Sequence, residues 1–411
     1  MRFNRKPITV EEAQALIQPY IKEGTTESVP ILESDGKYLA EAIEASHPIP
    51  HFRRSGMDGF AVRAEDLAEA SKEHPIELQC IEEIPAGTVA QKTVTTGTCS
   101  RIMTGAAVPE GADAVVKLED TEANGATTLV YHSPAVKENV TGIGEEMAEG
   151  TPIMEKGRKI GPGEVALLAT FGHAVVKVFQ QPRVAILSTG SELLGPGDAL
   201  EAGKIRNSNT YMLYAQVKRA GAVPVVVDSV PDDIELAKRK ISEALANYDA
   251  VITTGGVSVG DYDILTDFFA EWDGKLLFNK LKMRPGSPTS VGVKDNRLLF
   301  ALSGNPGACF AGFELFVRPV LRGMLGKDRL EMAVFEAYMA ESFINKGSFP
   351  RFVRAKLLKQ DGKICVQPVG VDKSSIVTSI KDAEVLIHVP EGPVVLQAED
   401  LVTVTALKDL D

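Results

Sequence analysis

Cysteine is scarce in this chain, with four in 411 residues, at positions 80, 99, 309 and 365. None forms a C-x-x-C pair and no His/Cys cluster has zinc-like spacing, which argues against a disulfide framework and a zinc module alike. The four read as reduced thiols packed as small hydrophobes. Long apolar runs are missing as well. Nothing approaches the roughly 18 consecutive apolar residues of a membrane span. The start, MRFNRKPITVEEA, carries basic residues with no apolar segment behind them, so no signal peptide is expected. These absences lead us to expect a cytoplasmic protein that does not engage membranes. Positive charge is in deficit, with 44 Lys+Arg against 56 Asp+Glu and a net charge of -12. That argues against a protein whose main work is gripping nucleic acid or an anionic membrane. A small anionic ligand sees only local charge and is not excluded. No Walker A and no G-x-G-x-x-G string occurs, which speaks against P-loop hydrolysis and a nicotinamide cofactor. The six histidines (47, 51, 74, 132, 173, 388) belong to no nucleophile motif, and packing or surface roles are expected of them. The single tryptophan, Trp272, reads as structural.

What is present is an ordinary globular composition, 44% hydrophobic and 24% charged, in a length that allows two to four domains. Thr9 and Glu12 fit a capping box ahead of Ala13, Leu16, Ile17, Tyr20 and Ile21 at helical spacing. From about 47 to 146 short β-like runs alternate with Gly, Pro and charge, a small β-rich unit. From Arg183 to about Leu325 strand-like and helix-like runs alternate, which implies a parallel sheet covered on both faces. The remainder, from Asp328, has short alternating runs and reads as a small β-barrel. The expected fold class is therefore multidomain α/β plus β. It has a central doubly wound, mostly parallel α/β domain over 180–327, a β-rich insert over 48–146 and a C-terminal β-barrel over 328–411. An N-terminal linking domain is built from 1–47 and 147–179.

In an open α/β sheet, ligands bind beyond the carboxyl ends of the strands. Three such ends carry glycines and hydroxyls: Ser188-Thr189-Gly190-Ser191-Glu192, Thr253 to Asp263 (TTGGVSVGDYD), and Ser303-Gly304-Asn305-Pro306-Gly307 opening a helix. Glycines admit backbone N–H groups to an anion, and a helix start adds a positive dipole end. One such loop is most simply a tight turn, but three at one edge point to a phosphate-bearing ligand. Charge segregates nearby. Residues 228–273 hold eleven acids against three bases, and 275–297 hold six bases against one acid. Glu192, Asp232, Asp261 and Asp263 are oxygen ligands of the kind Mg²⁺ shares with phosphates, while Asp232 fits equally well as a first-turn helix acid. Lys280-Leu-Lys-Met-Arg284-Pro is suited to holding cations toward an anion.

These strings together resemble the molybdopterin molybdenumtransferase family. The resemblance is carried by SGMDGFAVR (55–63), PAGT (85–88), RIMTGAAVPEGADAVV (101–116), GEEM (144–147), STGSEL (188–193), IRNSN (205–209), TTGGVSVGDYD (253–263), KLKMRPGSP (280–288) and LSGNPGACF (302–310). It runs through most of the chain in family order and loosens beyond about 325. It implies that the α/β domain is of the molybdopterin-binding type. It also implies a reaction in which molybdate is inserted at the dithiolene of adenylylated molybdopterin, with Mg²⁺ present and AMP released. By the same resemblance Asp58, Thr104, Lys280, Arg284, Arg351 and Ser374 are catalytic, with Glu146 standing where the family has an Asp. Thr189, Gly190, Ser191, Asn209, Gly255, Gly256, Ser258, Ser303, Gly304, Asn305 and Pro306 bind substrate, and Glu192, Asp232 and Asp263 hold the metal. Arg284 stands where the family often has Lys. The resemblance further implies a homodimer whose site is shared between subunits, and transient contacts with other cofactor-biosynthesis proteins. A pterin adenylyltransferase and a non-catalytic pterin-binding scaffold are the competing readings. The adenylyltransferase lacks the flanking domains.

Overall fold

The computed structural model describes residues 6–227, 234–255 and 264–408. The chain forms two compact units, one of Met1–Glu41, Lys156–Ala166 and Ala174–Asp411, the other of Ala42–Glu155 and Leu167–His173. No helix among the described residues is long and apolar enough to cross a membrane.

The larger unit is organised by a six-stranded sheet. Its strands are β1 (Arg183–Ser188), β2 (Val223–Val226), β3 (Ala250–Thr254), β4 (Lys275–Phe278), β5 (Ser290–Lys294) and β6 (Arg297–Leu302). The order across the sheet is β2-β1-β3-β6-β5-β4. The first four are parallel, and β5 and β4 add antiparallel at one edge. β1, β3 and β6 are near-continuous apolar runs because both their faces are covered. Helix α1 (Asn209–Arg219) packs in one apolar cluster with Ile186, Ile252 and Phe300, and α2 (Ile234–Asn247) in another with Leu187, Val251 and Leu299. α3 (Ile264–Glu271) ends beside Trp272, whose ring lies 5.5 Å from those of Phe268 and Phe269. α4 (Pro306–Gly312) follows β6 and continues through a π-helical turn, Phe313–Val317, into Arg318–Met324.

The first helix, Val10–Ile17, carries the expected capping box: Thr9 Oγ1 accepts from Glu12 N, and Glu12 Oε2 accepts from Thr9 N. Its buried face joins the core of the α/β layer, and Ile8 hydrogen-bonds to Lys280 and Lys282. The C-terminal segment closes a five-stranded barrel from Val334–Met339, Arg351–Gln360, Lys363–Pro368, Val385–Val389 and Leu401–Ala406. Its interior is filled by Ala337, Val353, Val366, Ile387 and Val404.

The smaller unit holds a second six-stranded sheet, with Gly59–Val62, Thr98–Ile102 and Ile76–Ile84 as its central strands. At Gly59 an added Cβ would run into the Val116 carbonyl of the neighbouring strand, so only glycine fits there. Of the histidines, His47 and His51 pack edge to face with ring centroids 6.0 Å apart, and His47 also meets Phe171. This is the packing role expected of them.

The stretch 275–297 departs from a single basic block. Lys275 and Lys294 sit on the outer strands, where Lys275 Nζ lies over the Tyr20 ring and Lys294 pairs with Asp273 at 2.6 Å. Arg297 donates to the Leu245 carbonyl. Short alternating strands with a charge at each end look, in sequence, like one patch.

Candidate functional site

The carboxyl ends of β1, β3 and β6 lie side by side, and the loops that leave them are hydrogen-bonded to one another. Thr189 N donates to Thr254 O at 3.0 Å, and Gly255 N donates to Leu302 O at 3.3 Å. The first residue of α1, Asn209, is buried and spans the second and third loops. Its Nδ2 donates to Thr254 Oγ1 and to Gly304 O, both at 2.8 Å. Gly255 has φ +94°, and a Cβ there would stand 2.5 Å from Thr189 O. Gly304 is less crowded, its ideal Cβ position an ordinary contact of 3.4 Å from the Gly255 Cα. Gly255 therefore lets the first two loops close to backbone contact, which a side chain there would forbid. The Thr189 hydroxyl and Asn209 Oδ1 are buried and make no hydrogen bond with the described residues. Gly190 also has positive φ, and the exposed Glu192 carboxylate lies over it. Ser191 is exposed beside it. Asn305 stands at the start of α4 and Pro306 is its first residue, the position where proline costs the helix no hydrogen bond.

A second group meets this edge from the barrel side. Arg284 pairs with the start of a barrel strand: its N–H donates to Pro350 O at 2.9 Å, and Phe352 N donates to Arg284 O at 2.8 Å. This sets Arg284 beside Arg351, with the Arg284 guanidinium 5.8 Å from the Phe349 ring centroid. Arg351 is held by Asp372, Nε donating to Oδ2 at 2.7 Å. Ser374 lies on the loop that follows, and its carbonyl accepts from Gly307 N at 2.8 Å, in the first turn of α4. Lys280 is half-buried on the segment that pairs with Ile8. Thus the structure sets Arg284 beside Arg351, ties Arg351 to Asp372, and joins Ser374, two residues on, to Gly307 in the first turn of α4.

In the smaller unit, Asp58 and Thr104 are joined. Asp58 Oδ1 accepts from Thr104 N at 2.6 Å and from Thr104 Oγ1 at 3.0 Å. These two bonds, backbone first, hold the exposed Asp58 carboxyl below its ordinary value, and the charge of Arg101 adds to the effect. Glu146 is exposed, its backbone N–H donating to Ile49 O, and its carboxylate has no partner among the described residues. Gly256, Ser258, Asp232 and Asp263 lie outside the described residues.

A Thr104→Val variant tests this geometry. It removes one bond to the charged carboxylate, so the Asp58 titration midpoint rises toward the ordinary carboxyl value. Carboxyl-carbon NMR reads the midpoint, and an unmoved value would show that the hydroxyl bond does nothing.

Three family models cover the chain. They are the MoeA N-terminal region (domain I and II) over residues 8–172, a probable molybdopterin binding domain over 185–323, and the MoeA C-terminal region (domain IV) over 336–407. The molybdopterin molybdenumtransferase of Bacillus subtilis (strain 168) is 45% identical over 396 residues, 95% of this chain and 92% of that one. The chain belongs to the molybdopterin molybdenumtransferase family. The family's enzyme from Staphylococcus aureus (strain MRSA252) is 42% identical over 391 residues, 94% of this chain and 93% of that one. A crystal structure of the molybdopterin biosynthesis MoeA protein of Pyrococcus horikoshii matches with TM-score 0.86 and 31% identity, over 98% of this chain and all of that one.

The fold of this molybdopterin molybdenumtransferase family member also exposes residues that reading the sequence overlooks. Asn207 Nδ2 donates to Ser188 Oγ and Thr210 Oγ1, tying α1 to the end of β1. Arg354 is 2% exposed and lies against the first turn of α4. It donates to Ser379 Oγ at 3.0 Å and Lys373 O at 3.3 Å, and a Cβ on Gly307 would stand 2.5 Å from its Nη1. Burial pulls this guanidinium below its ordinary value, and Asp372 opposes the shift. Asn207 was visible in the IRNSN string. Arg354 stands three residues after Arg351, but nothing local marks it.

Proposed function

We propose that this chain inserts molybdate into adenylylated molybdopterin and releases AMP. Family membership makes it a transferase of molybdenum cofactor biosynthesis. The observation that carries the finer reading is the closure of three glycine- and hydroxyl-bearing loops on one sheet edge around Asn209. Backbone N–H groups and the start of α4 face that edge and suit a phosphate-bearing substrate. Arg284, Arg351 and Lys280 supply positive charge for an oxyanion, and Ser374 a hydroxyl donor. Thr189, Gly190, Ser191, Gly255, Ser303, Gly304, Asn305 and Pro306 line the pterin-nucleotide side, continued by Gly256 and Ser258. In this reading Asp58, Thr104 and Glu146 act from the smaller unit of the partner subunit in a homodimer.

Mg²⁺ would be held by Glu192 with Asp232 and Asp263. Glu192 offers an exposed carboxylate at the right edge, the hard oxygen donor that Mg²⁺ prefers. Mg²⁺ usually keeps several waters and shares its oxygen ligands with substrate phosphates, so the ion would complete its shell with substrate oxygens and water. Its chemistry would be neutralisation of charge on the phosphate. The four cysteines are free thiols, which supports a reducing, cytoplasmic setting.

The test is turnover of adenylylated molybdopterin with and without molybdate. AMP release that needs both molybdate and Mg²⁺, and stops with a chelator, is expected. Pterin adenylylation from ATP would instead show the adenylyltransferase activity, and tight binding with neither reaction would show a carrier.

A further inference from the structure

Ser374 lies on the loop 369–379, which leaves the barrel strand Lys363–Pro368. The ends of the loop meet: an ideal Cβ on Gly370 would stand 3.1 Å from Ser379 Cβ. That closed outline is the form of an Ω-loop, which is usually packed by its own side chains. Here Val371 and Val377 stand exposed, at 57% and 45%. Arg354, on the neighbouring barrel strand Arg351–Gln360, bonds to the loop instead. Its carbonyl accepts from Val369 N at 2.9 Å, its Nη2 donates to Lys373 O at 3.3 Å and its Nε donates to Ser379 Oγ at 3.0 Å. One residue thus holds the loop at its start, its middle and its end.

The same guanidinium reaches the first turn of α4, with Nη1 3.5 Å from Gly307 O. There Ser374 O accepts from Gly307 N at 2.8 Å. An ideal Cβ on Gly307 would stand 2.5 Å from Arg354 Nη1 and 3.0 Å from Ser374 O, so a side chain there would displace one or the other. A buried charge needs bonded partners. A planar fork can address several acceptors in different directions, which an ammonium on a flexible stem cannot. Asp372, which accepts from Arg351 Nε at 2.7 Å, also attracts the Arg354 charge.

We propose that Arg354 is a positioning residue that fixes the 369–379 loop on the first turn of α4 and so sets Ser374, and Arg351 through Asp372, for an oxyanion. Arg354 is 2% exposed and acts through these residues. This role deepens the molybdate reading of Arg351 and Ser374 and rests on it.

The test compares the full chain with Arg354→Lys, Gly307→Ala, Ser374→Ala and the double variant of Arg354→Lys with Ser374→Ala. In Arg354→Lys the molybdate concentration for half-maximal AMP release is expected to rise about tenfold, while that of adenylylated molybdopterin stays within about twofold. Gly307→Ala keeps the guanidinium and its charge, and is expected to shift molybdate in the same way. In the double variant the shift should fall well short of the product of the two single shifts, because both substitutions break one chain of contacts. Amide hydrogen exchange needs no reaction. In Arg354→Lys it is expected to speed up by about tenfold at Gly307 and over 373–379, with the other barrel strands unchanged. Lower turnover with both half-saturations unmoved, a double-variant shift equal to the product, or unchanged exchange would each overturn the proposal. A wild-type chain that releases no AMP with molybdate overturns the reaction and with it the catalytic role, while faster exchange in Arg354→Lys would still show the clamp.

Discussion

Replacing Asp58 by alanine is expected to lower molybdate-dependent AMP release by about 100-fold, the scale of loss when a reacting group is displaced by an ångström or so. The carboxylate is exposed, so the thermal unfolding midpoint should not move. What the substitution removes is the anchor for Thr104 N and Oγ1 and a fixed negative charge beside Arg101. The charge persists throughout the working range, because a carboxyl held below its ordinary value stays ionised at every pH well above it. Asp58 therefore does not set the acid limb of a pH–rate profile. The same variant tests whether two protomers share a site. Asp58→Ala and Lys280→Ala are each expected to be nearly inactive. Mixed and allowed to exchange, they should recover roughly a quarter of full turnover, since half the dimers are hybrid and each hybrid holds one intact site. Absence of recovery sinks the shared site, and unchanged turnover in Asp58→Ala alone sinks the catalytic role.

The largest stability effect is expected at Arg318. Its guanidinium and the Glu314 carboxylate, both 2% exposed, form two hydrogen bonds one helical turn apart, Nε to Oε2 at 2.5 Å and Nη2 to Oε1 at 2.9 Å. Gln216 completes the set from α1 by donating to Oε1. Arg318→Met leaves a buried carboxylate with one neutral donor, at a cost of about 3–5 kcal/mol. Replacing both partners, Glu314→Leu with Arg318→Met, removes the stranded charge and should recover most of that loss. Urea unfolding decides the matter. If the double variant is no more stable than the single one, lost packing rather than a stranded charge is responsible.

The contrast between Asp58 and Arg318 shows what was legible in the sequence. The α/β layer was readable because its buried strands, such as Val184–Leu187 and Leu298–Leu302, are unbroken apolar runs followed by glycine turns. The Asp58 and Thr104 strings stood out by their resemblance to a family, although no spacing joins residues so far apart. The antiparallel strands β4 and β5 were hidden because they are short and end in lysines that look like a surface patch. Asn207 and Thr254 stood inside quoted strings without a role of their own, and Arg354 was missed, because their roles consist of tertiary hydrogen bonds. An arginine buried by a distant turn has the same local sequence as one in solvent.

The docking of Ile8 on Lys280 and Lys282 has a consequence for synthesis. The helix Val10–Ile17 leaves the ribosome well before its cover, because the core around Val10, Ala13 and Ile17 includes Leu281, Phe316 and Val320. Until that late segment emerges, the helix has an apolar stripe with these partners missing, and eight residues are too few to hold a helix in water on their own. This segment must therefore wait, exposed to chaperones and proteases, while the sheet it will rest on is still being made.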